Sequence, residues 1–138
     1  MEETVSMIFN KYLVFGIGGQ DYALPAEVIS QIITQVPITE IPQTPMFVKG
    51  IIELRGEVIN IIDTAIKLNL PPIEIKDQTC FIICGNYGFI VENIKDMVEI
   101  NKEDCHKLDL TDDKLVQYVF DLKDTVVQIL NFDILISN

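Results

Sequence analysis

Two aliphatic runs on either side of an Arg-Gly pair constrain the fold of this chain more than any other feature. The runs cover residues 50–54 and 57–63, and Arg55-Gly56 stands between them. β-Branched residues favour strands, and a glycine-containing dipeptide between two such runs is the form of a tight β-hairpin. Polar residues interrupt both runs, so one side of the ribbon is predicted to face water. We therefore expect an antiparallel ribbon with Arg55 at its tip.

Short β-type runs recur along the rest of the chain. Further hairpins are predicted over residues 12–24, 79–91 and 115–130, and short helical segments over residues 25–30, 64–70 and 131–136. About eight to ten short strands with so little helix predict an all-β barrel or sandwich. Enzymes built on parallel βαβ units are disfavoured, because their crossovers need a dozen or more residues, usually in a helix.

The acidic composition excludes several classes of partner. The 138 residues include 21 Asp and Glu against 10 Lys and Arg, which gives a formal net charge of −11. Such a surface repels nucleic acid and an anionic membrane face. No segment approaches the ~20 apolar residues of a spanning helix, and the start Met1-Glu2-Glu3-Thr4 lacks the basic residues of a secretory signal. We therefore expect a cytoplasmic protein without nucleic-acid binding or direct membrane insertion.

Patterns of catalytic or metal-binding residues do not stand out. Cys80 and Cys84 are four apart in a predicted strand, so roughly 13 Å separates their Cα atoms, which is too far to share one zinc ion. His106 is the single histidine, and no serine or cysteine elbow accompanies it. Residues 16–19 lack the third glycine and the following helix of a dinucleotide-binding loop. The sequence predicts no metal, no cofactor and no enzymatic activity.

Apolar residues without an obvious inward role have two interpretations. They belong to the core, or they form an exposed groove or edge that accepts a partner. The residues are Ile29, Ile32, Ile90, Ile94 and Met97.

Arg55 also has two interpretations. It is an exposed solubilising charge, or it is a planar fork that grips a carboxylate, either of a partner or of Glu53 or Glu57. The other nine basic residues are lysines, which favours a task that specifically requires an arginine.

Residues 45–63, with the sequence PMFVKGIIELRGEVINIID, resemble the signature of CheW-like domains. The family pattern has proline, an aromatic residue, Lys-Gly, two aliphatics, Asn-Leu-Arg-Gly, then aliphatics around a proline and a final aspartate. The resemblance extends to the opening hairpin, to residues 29–32 and to residues 87–92, and so spans about residues 11–132. The chain departs from the pattern at Glu53 in place of asparagine, Asn60 in place of proline and Gln31 in place of an acidic residue.

The resemblance implies a single CheW-like domain over residues 1–138, made of two five-stranded β-barrel lobes with a pseudo-two-fold relation. The expected lobes are residues 11–70 and 77–132, with a seam at Pro71-Pro72 and a tail at 131–138.

It also implies an adaptor that couples methyl-accepting chemotaxis receptors, at their cytoplasmic tips, to the regulatory domain of the chemotaxis histidine kinase. The alternatives are a small-ligand-binding sensory β-barrel and a divergent coupling paralogue of another signalling array. The partner-binding positions implied are Ile29, Gln31, Gly50, Arg55, Gly88, Ile94 and Met97, together with the acidic neighbours Glu53 and Glu57.

Overall fold

The computed structural model describes residues 10–108 and 114–137, and most of these residues lie in strands. The strands are β1 (Lys11–Ile17), β2 (Gln20–Pro25), β3 (Gln31–Thr34), β4 (Val48–Leu54), β5 (Glu57–Asp63), β6 (Cys80–Cys84), β7 (Tyr87–Val91), β8 (Asn93–Glu99), β9 (His106–Lys107), β10 (Val116–Leu122) and β11 (Thr125–Leu130). The helical segments are α1 (Thr64–Lys67), α2 (Phe132–Leu135) and 3₁₀ turns at Ala26–Val28 and Lys102–Asp104. The predicted all-β class with a few short helices is confirmed. Within the described ranges, no helix has the length and apolar character needed to cross a membrane.

The chain divides into two compact units that differ from the predicted lobes. A terminal unit combines residues 1–28 with residues 94–138, and a central unit is formed by residues 29–93. Pro71-Pro72 therefore lies inside the central unit, and the two compact units do not divide at that position. The reason is that the N-terminal β2 pairs in parallel with β11, and this pairing joins both ends of the chain in one sheet.

The terminal unit contains a six-stranded sheet with the order β8-β1-β2-β11-β10-β9. Its β1 and β2 form the predicted first hairpin, and β10 and β11 form the predicted last one. Alternate residues of β1 and β11 point into one apolar cluster, as the two-residue period of a strand requires. The buried members are Tyr12, Val14, Ala23, Ile100, Val127 and Ile129. The sheet has one strand more than the expected five, because the two-residue β9 pairs with β10.

The central unit contains a five-stranded sheet with the order β3-β6-β7-β5-β4. Strands β4 and β5 form the hairpin predicted around Arg55-Gly56, and β5 pairs in parallel with β7. Beyond β3, the backbone of Thr39 exchanges two hydrogen bonds of 2.9 Å with that of Ile51 in β4. The segment that follows the edge strand β3 therefore also contacts β4, the strand at the opposite edge of the sheet.

The first hairpin turns at Gly18 and Gly19, since β2 begins at Gln20. The helix predicted over residues 25–30 is reduced to one 3₁₀ turn, because Pro25 pairs with Tyr12 in the sheet. At its other end, the backbone N–H of Ser30 donates to the carbonyl of Ile83 at 2.7 Å.

Candidate functional site

Arg55 occupies the first position of a two-residue turn between β4 and β5. Leu54 pairs with Glu57, and the φ angles of Arg55 and Gly56 are 53° and 83°. Two positive φ angles are typical of the type I′ turn, in which glycine, asparagine and aspartate are favoured. An arginine in this conformation costs about 1–2 kcal/mol relative to an ordinary backbone geometry. The turn itself therefore does not explain why arginine stands here.

The Arg55 side chain is exposed. The ion pairs Lys95–Asp21 and His106–Asp121 do not involve Arg55. Among the described residues, then, no carboxylate, including those of Glu53 and Glu57, lies within ion-pair distance of this guanidinium. Its five N–H donors are available to an external acceptor.

A hollow of about 300 Å³ lies beside this turn, and we call it the Arg55 hollow. Its lining residues are Ser30, Gln31, Leu54, Arg55, Glu57, Ile59, Ile83 and Gly85. Ile59 and Ile83 are almost completely buried and supply an apolar surface, whereas Gln31, Arg55 and Glu57 supply polar groups. The structure thus brings together three residues that the resemblance implied for partner binding.

Local hydrogen bonds hold the two chain segments that border this hollow. The Ser30 hydroxyl accepts a hydrogen bond from the backbone N–H of Gly85 at 3.2 Å. Together with the bond from the Ser30 N–H to Ile83, it joins the start of β3 to the end of β6. Ile29, directly before Ser30, is half-buried.

The two glycines among the implied residues are buried and do not present a surface. A Cβ atom on Gly50, whose φ is +147°, would clash with the carbonyl oxygen of Thr39. A Cβ atom on Gly88 would lie 2.7 Å from Cδ1 of Ile61. Both glycines allow neighbouring residues of the central unit to approach their backbone closely. Glu53, in contrast, is exposed on β4.

Ile94 and Met97 lie in the terminal unit, on the edge strand β8. Ile94 is half-buried and Met97 is 49% exposed. Ile90 is fully buried and belongs to the core. Ile32 is 39% exposed, so like Met97 it is accessible to a partner.

A second hollow of the central unit was not predicted from the sequence, and we call it the Lys49 hollow. It has a volume of about 480 Å³ and is lined by Gln35, Val36, Pro37, Ile38, Glu40, Lys49 and Ile75. Strands β3 and β4 both run between the two hollows, since Gln31 and Leu54 border one, and Gln35 and Lys49 border the other. Pro37 could have indicated an irregular segment here, because proline cannot donate a hydrogen bond to a sheet.

The three thiols are at least half-buried, and the histidine is exposed. Burial raises the pKa of Cys84 to about 12, and it also raises the pKa of Cys80 and of Cys105. His106 is 70% exposed in its side chain. The described residues contain no group of three or more side chains placed to hold a metal ion.

The family model of the CheW-like domain matches residues 11–138. The chain belongs to the CheW-like domain family. The Chemotaxis protein CheW of Bacillus subtilis is 32% identical over 98 residues, which are 68% of this chain and 63% of that protein. The Chemotaxis protein CheW of Helicobacter pylori is 26% identical over 98 residues, with 68% and 59% covered. The match therefore spans less than two thirds of the length of these curated relatives.

A solved structure supports the same membership. The crystal structure of the scaffolding protein TtCheW from Thermoanaerobacter tengcongensis matches this CheW-like chain with a TM-score of 0.84 and 25% identity. The match covers 94% of this chain and 88% of that one.

One departure of this CheW-like chain from the family signature has a visible consequence. The backbone N–H of Asn60 donates to the carbonyl of Asn86 at 2.8 Å, and the Asn60 side-chain amide donates to the same oxygen at 3.3 Å. A proline at this position has no N–H to donate. Asn60 therefore ties β5 to the turn before β7 in a way that the usual residue does not allow.

Proposed function

We propose that this chain is a non-enzymatic cytoplasmic adaptor that couples methyl-accepting chemotaxis receptors to the chemotaxis histidine kinase. Membership of the CheW-like family supports the proposal, as do relatives that carry the name Chemotaxis protein CheW or are described as a scaffolding protein. The single observation that carries it is the presentation of Arg55, which is exposed, lies in a strained turn and borders a hollow lined by both apolar and polar residues.

The Arg55 hollow suits a protein segment with mixed chemistry. Its buried isoleucines offer an apolar surface to a partner side chain, and the guanidinium offers a bidentate grip on a carboxylate. Glu57 stands two residues away and offers an acceptor to a donor of the partner. Arginine beside a desolvated apolar patch is a common arrangement in the energetically dominant part of an interface.

An adaptor requires more than one contact surface, and the central unit carries two candidates. The Arg55 hollow and the Lys49 hollow lie at opposite ends of β3 and β4 in the central unit. In the Lys49 hollow, Val36 and Ile75 are 37% and 40% exposed. Apolar residues that remain accessible together in this way are typical of contact surfaces.

The direct test is the assembly of a ternary complex. The full chain is mixed with a kinase regulatory-domain fragment and a receptor-tip fragment, first singly and then together, and the complexes are separated by size-exclusion chromatography. We expect both binary complexes and a larger complex that contains all three proteins. Absence of both binary interactions at high micromolar concentration would contradict the proposal.

A further inference from the structure

An ion pair in the terminal unit connects two strands that are not neighbours. The Lys95 ammonium of β8 lies 2.6 Å from Oδ1 of Asp21 in β2, although β1 separates these strands in the sheet. The Asp21 side chain is only 10% exposed, and its Oδ2 accepts a hydrogen bond of 3.0 Å from the hydroxyl of Thr125. One nearly buried carboxylate therefore links β8, β2 and β11.

Gly16 makes this long contact possible. Strands two positions apart in a sheet are roughly 9.5 Å apart, so the lysine side chain has to pass over the intervening strand. The residue of β1 that pairs with Asp21 is Gly16. Directly paired residues of antiparallel strands point to the same face, and a glycine leaves that face open.

Strand β8 is an edge strand of this sheet, with β1 as its one neighbour. Its residues Lys95, Asp96 and Met97 are exposed. The Asp96 carboxylate accepts a hydrogen bond of 2.8 Å from the backbone N–H of Met97, which occupies a donor that an added strand would use. A partner is therefore directed to the side chains of β8 rather than to its backbone.

We propose that the Lys95–Asp21 pair is a positioning contact, which holds β8 so that Ile94 and Met97 receive an amphipathic helix of the receptor tip. The inference rests on the proposed function and adds the residues that preorder this surface. Asp96 and Glu99 are exposed acids of the same strand, so the fitting helix carries basic residues beside its apolar face. A preordered strand loses less conformational entropy on binding than a loose one.

The test compares the wild-type chain with the double variant Lys95→Met/Asp21→Asn, which removes both charges and leaves no unpaired buried carboxylate. Lys95→Arg is the conservative rescue, and Lys123→Met is the control at an exposed lysine outside the ion pair. Calorimetry measures the Kd of a receptor-tip helical hairpin and of the kinase fragment. Hydrogen exchange measures the protection of the β8 amides without any partner.

We expect the double variant to bind the receptor hairpin about tenfold more weakly and to exchange its β8 amides faster, with kinase binding within about twofold of wild type. Lys95→Arg restores both properties, and Lys123→Met changes neither. Unchanged β8 exchange, unchanged receptor affinity, or a parallel loss of kinase binding would overturn the positioning role. Failure of the wild-type chain to bind the receptor would instead overturn the proposed function together with the surface assigned to it.

Discussion

The Asp63 carboxylate accepts a hydrogen bond of 3.0 Å from the backbone N–H of Ile73, a residue on the far side of Pro71-Pro72. Its other oxygen accepts from the N–H groups of Ala65 and Ile66 at 3.0 and 3.4 Å. Asp63 is fully buried. One side chain thus follows β5, caps α1 and secures the chain after the double proline, which gives the final aspartate of the signature a structural role.

Removal of this carboxylate is expected to destabilise the chain substantially. Asp63→Ala leaves buried N–H groups without acceptors and also removes a helix cap, which together cost about 2–4 kcal/mol. Asp63→Asn retains one acceptor oxygen, so its free energy of unfolding should lie between those of the alanine variant and wild type. Urea denaturation measures the free energy of unfolding of both variants. Asp133→Ala, at an exposed position of α2, is the control. If Asp63→Ala lowers the free energy of unfolding by less than about 0.5 kcal/mol, the structural role assigned to Asp63 is wrong.

The two buried glycines of the central sheet should differ in their tolerance of a methyl group. At Gly88 the new Cβ would meet side-chain ends, with Ile61 Cδ1 at 2.7 Å and Ile83 Cδ1 at 3.1 Å. These atoms can shift, so Gly88→Ala should cost about 1–3 kcal/mol. At Gly50 the obstacle is the Thr39 backbone and φ is +147°, so Gly50→Ala should cost more.

Gly85→Ala provides the control for these two variants. Its Cβ would have no atom within 4 Å, and its φ is +64°. The expected loss of stability is therefore only the cost of placing alanine in the left-handed backbone conformation, which is about 1–2 kcal/mol. Thermal or urea unfolding ranks the three variants, and an order in which Gly85→Ala is the most damaging would contradict the packing described here.

The three thiols should react in a definite order. The pKa of Cys84 is raised by burial from 9.0 to about 12, so its thiolate fraction at pH 8 is on the order of 10⁻⁴. Cys80 and Cys105 are only half-buried. Iodoacetamide at pH 8 should therefore label Cys80 and Cys105 before Cys84, as mass spectrometry can follow. In denaturant the three rates should converge, and native labelling of Cys84 at the rate of Cys105 would contradict its buried placement.

Hairpins were predictable because their turn chemistry is local. Gly18-Gly19 and Arg55-Gly56 each stand between two β-type runs, and the structure has a hairpin at both places. The parallel pairing of β2 with β11 carries no local signal, since the two strands are about a hundred residues apart in the chain. For that reason the sequence does not indicate the two compact units, which divide at residues 28–29 and 93–94, although it predicts most of the strands.

The candidate site was predictable only in part, for a related reason. The position of Arg55 at a hairpin tip follows from its immediate neighbours, but the approach of Gln31 to the same hollow depends on which strands are adjacent. The Lys95–Asp21 pair depends on a register that places Gly16 opposite Asp21. Contacts of this kind become visible only when the sheet order is known.

The central claim is that Arg55 is present for its guanidinium and at some cost to its own turn, and a paired measurement on Arg55→Asn tests this most directly. Lys123→Asn is the matched control, because Lys123 has a φ of 55° at the tip of the β10–β11 hairpin.

Asparagine adopts positive φ more easily than arginine or lysine, so both variants should keep or gain stability, by up to about 1 kcal/mol. Calorimetric titration with the kinase and receptor fragments should show that Arg55→Asn weakens binding of at least one fragment by about 1–3 kcal/mol, while Lys123→Asn binds as wild type does. Unchanged affinity of Arg55→Asn for both fragments, or a loss of stability as large as its loss of binding, would contradict the account.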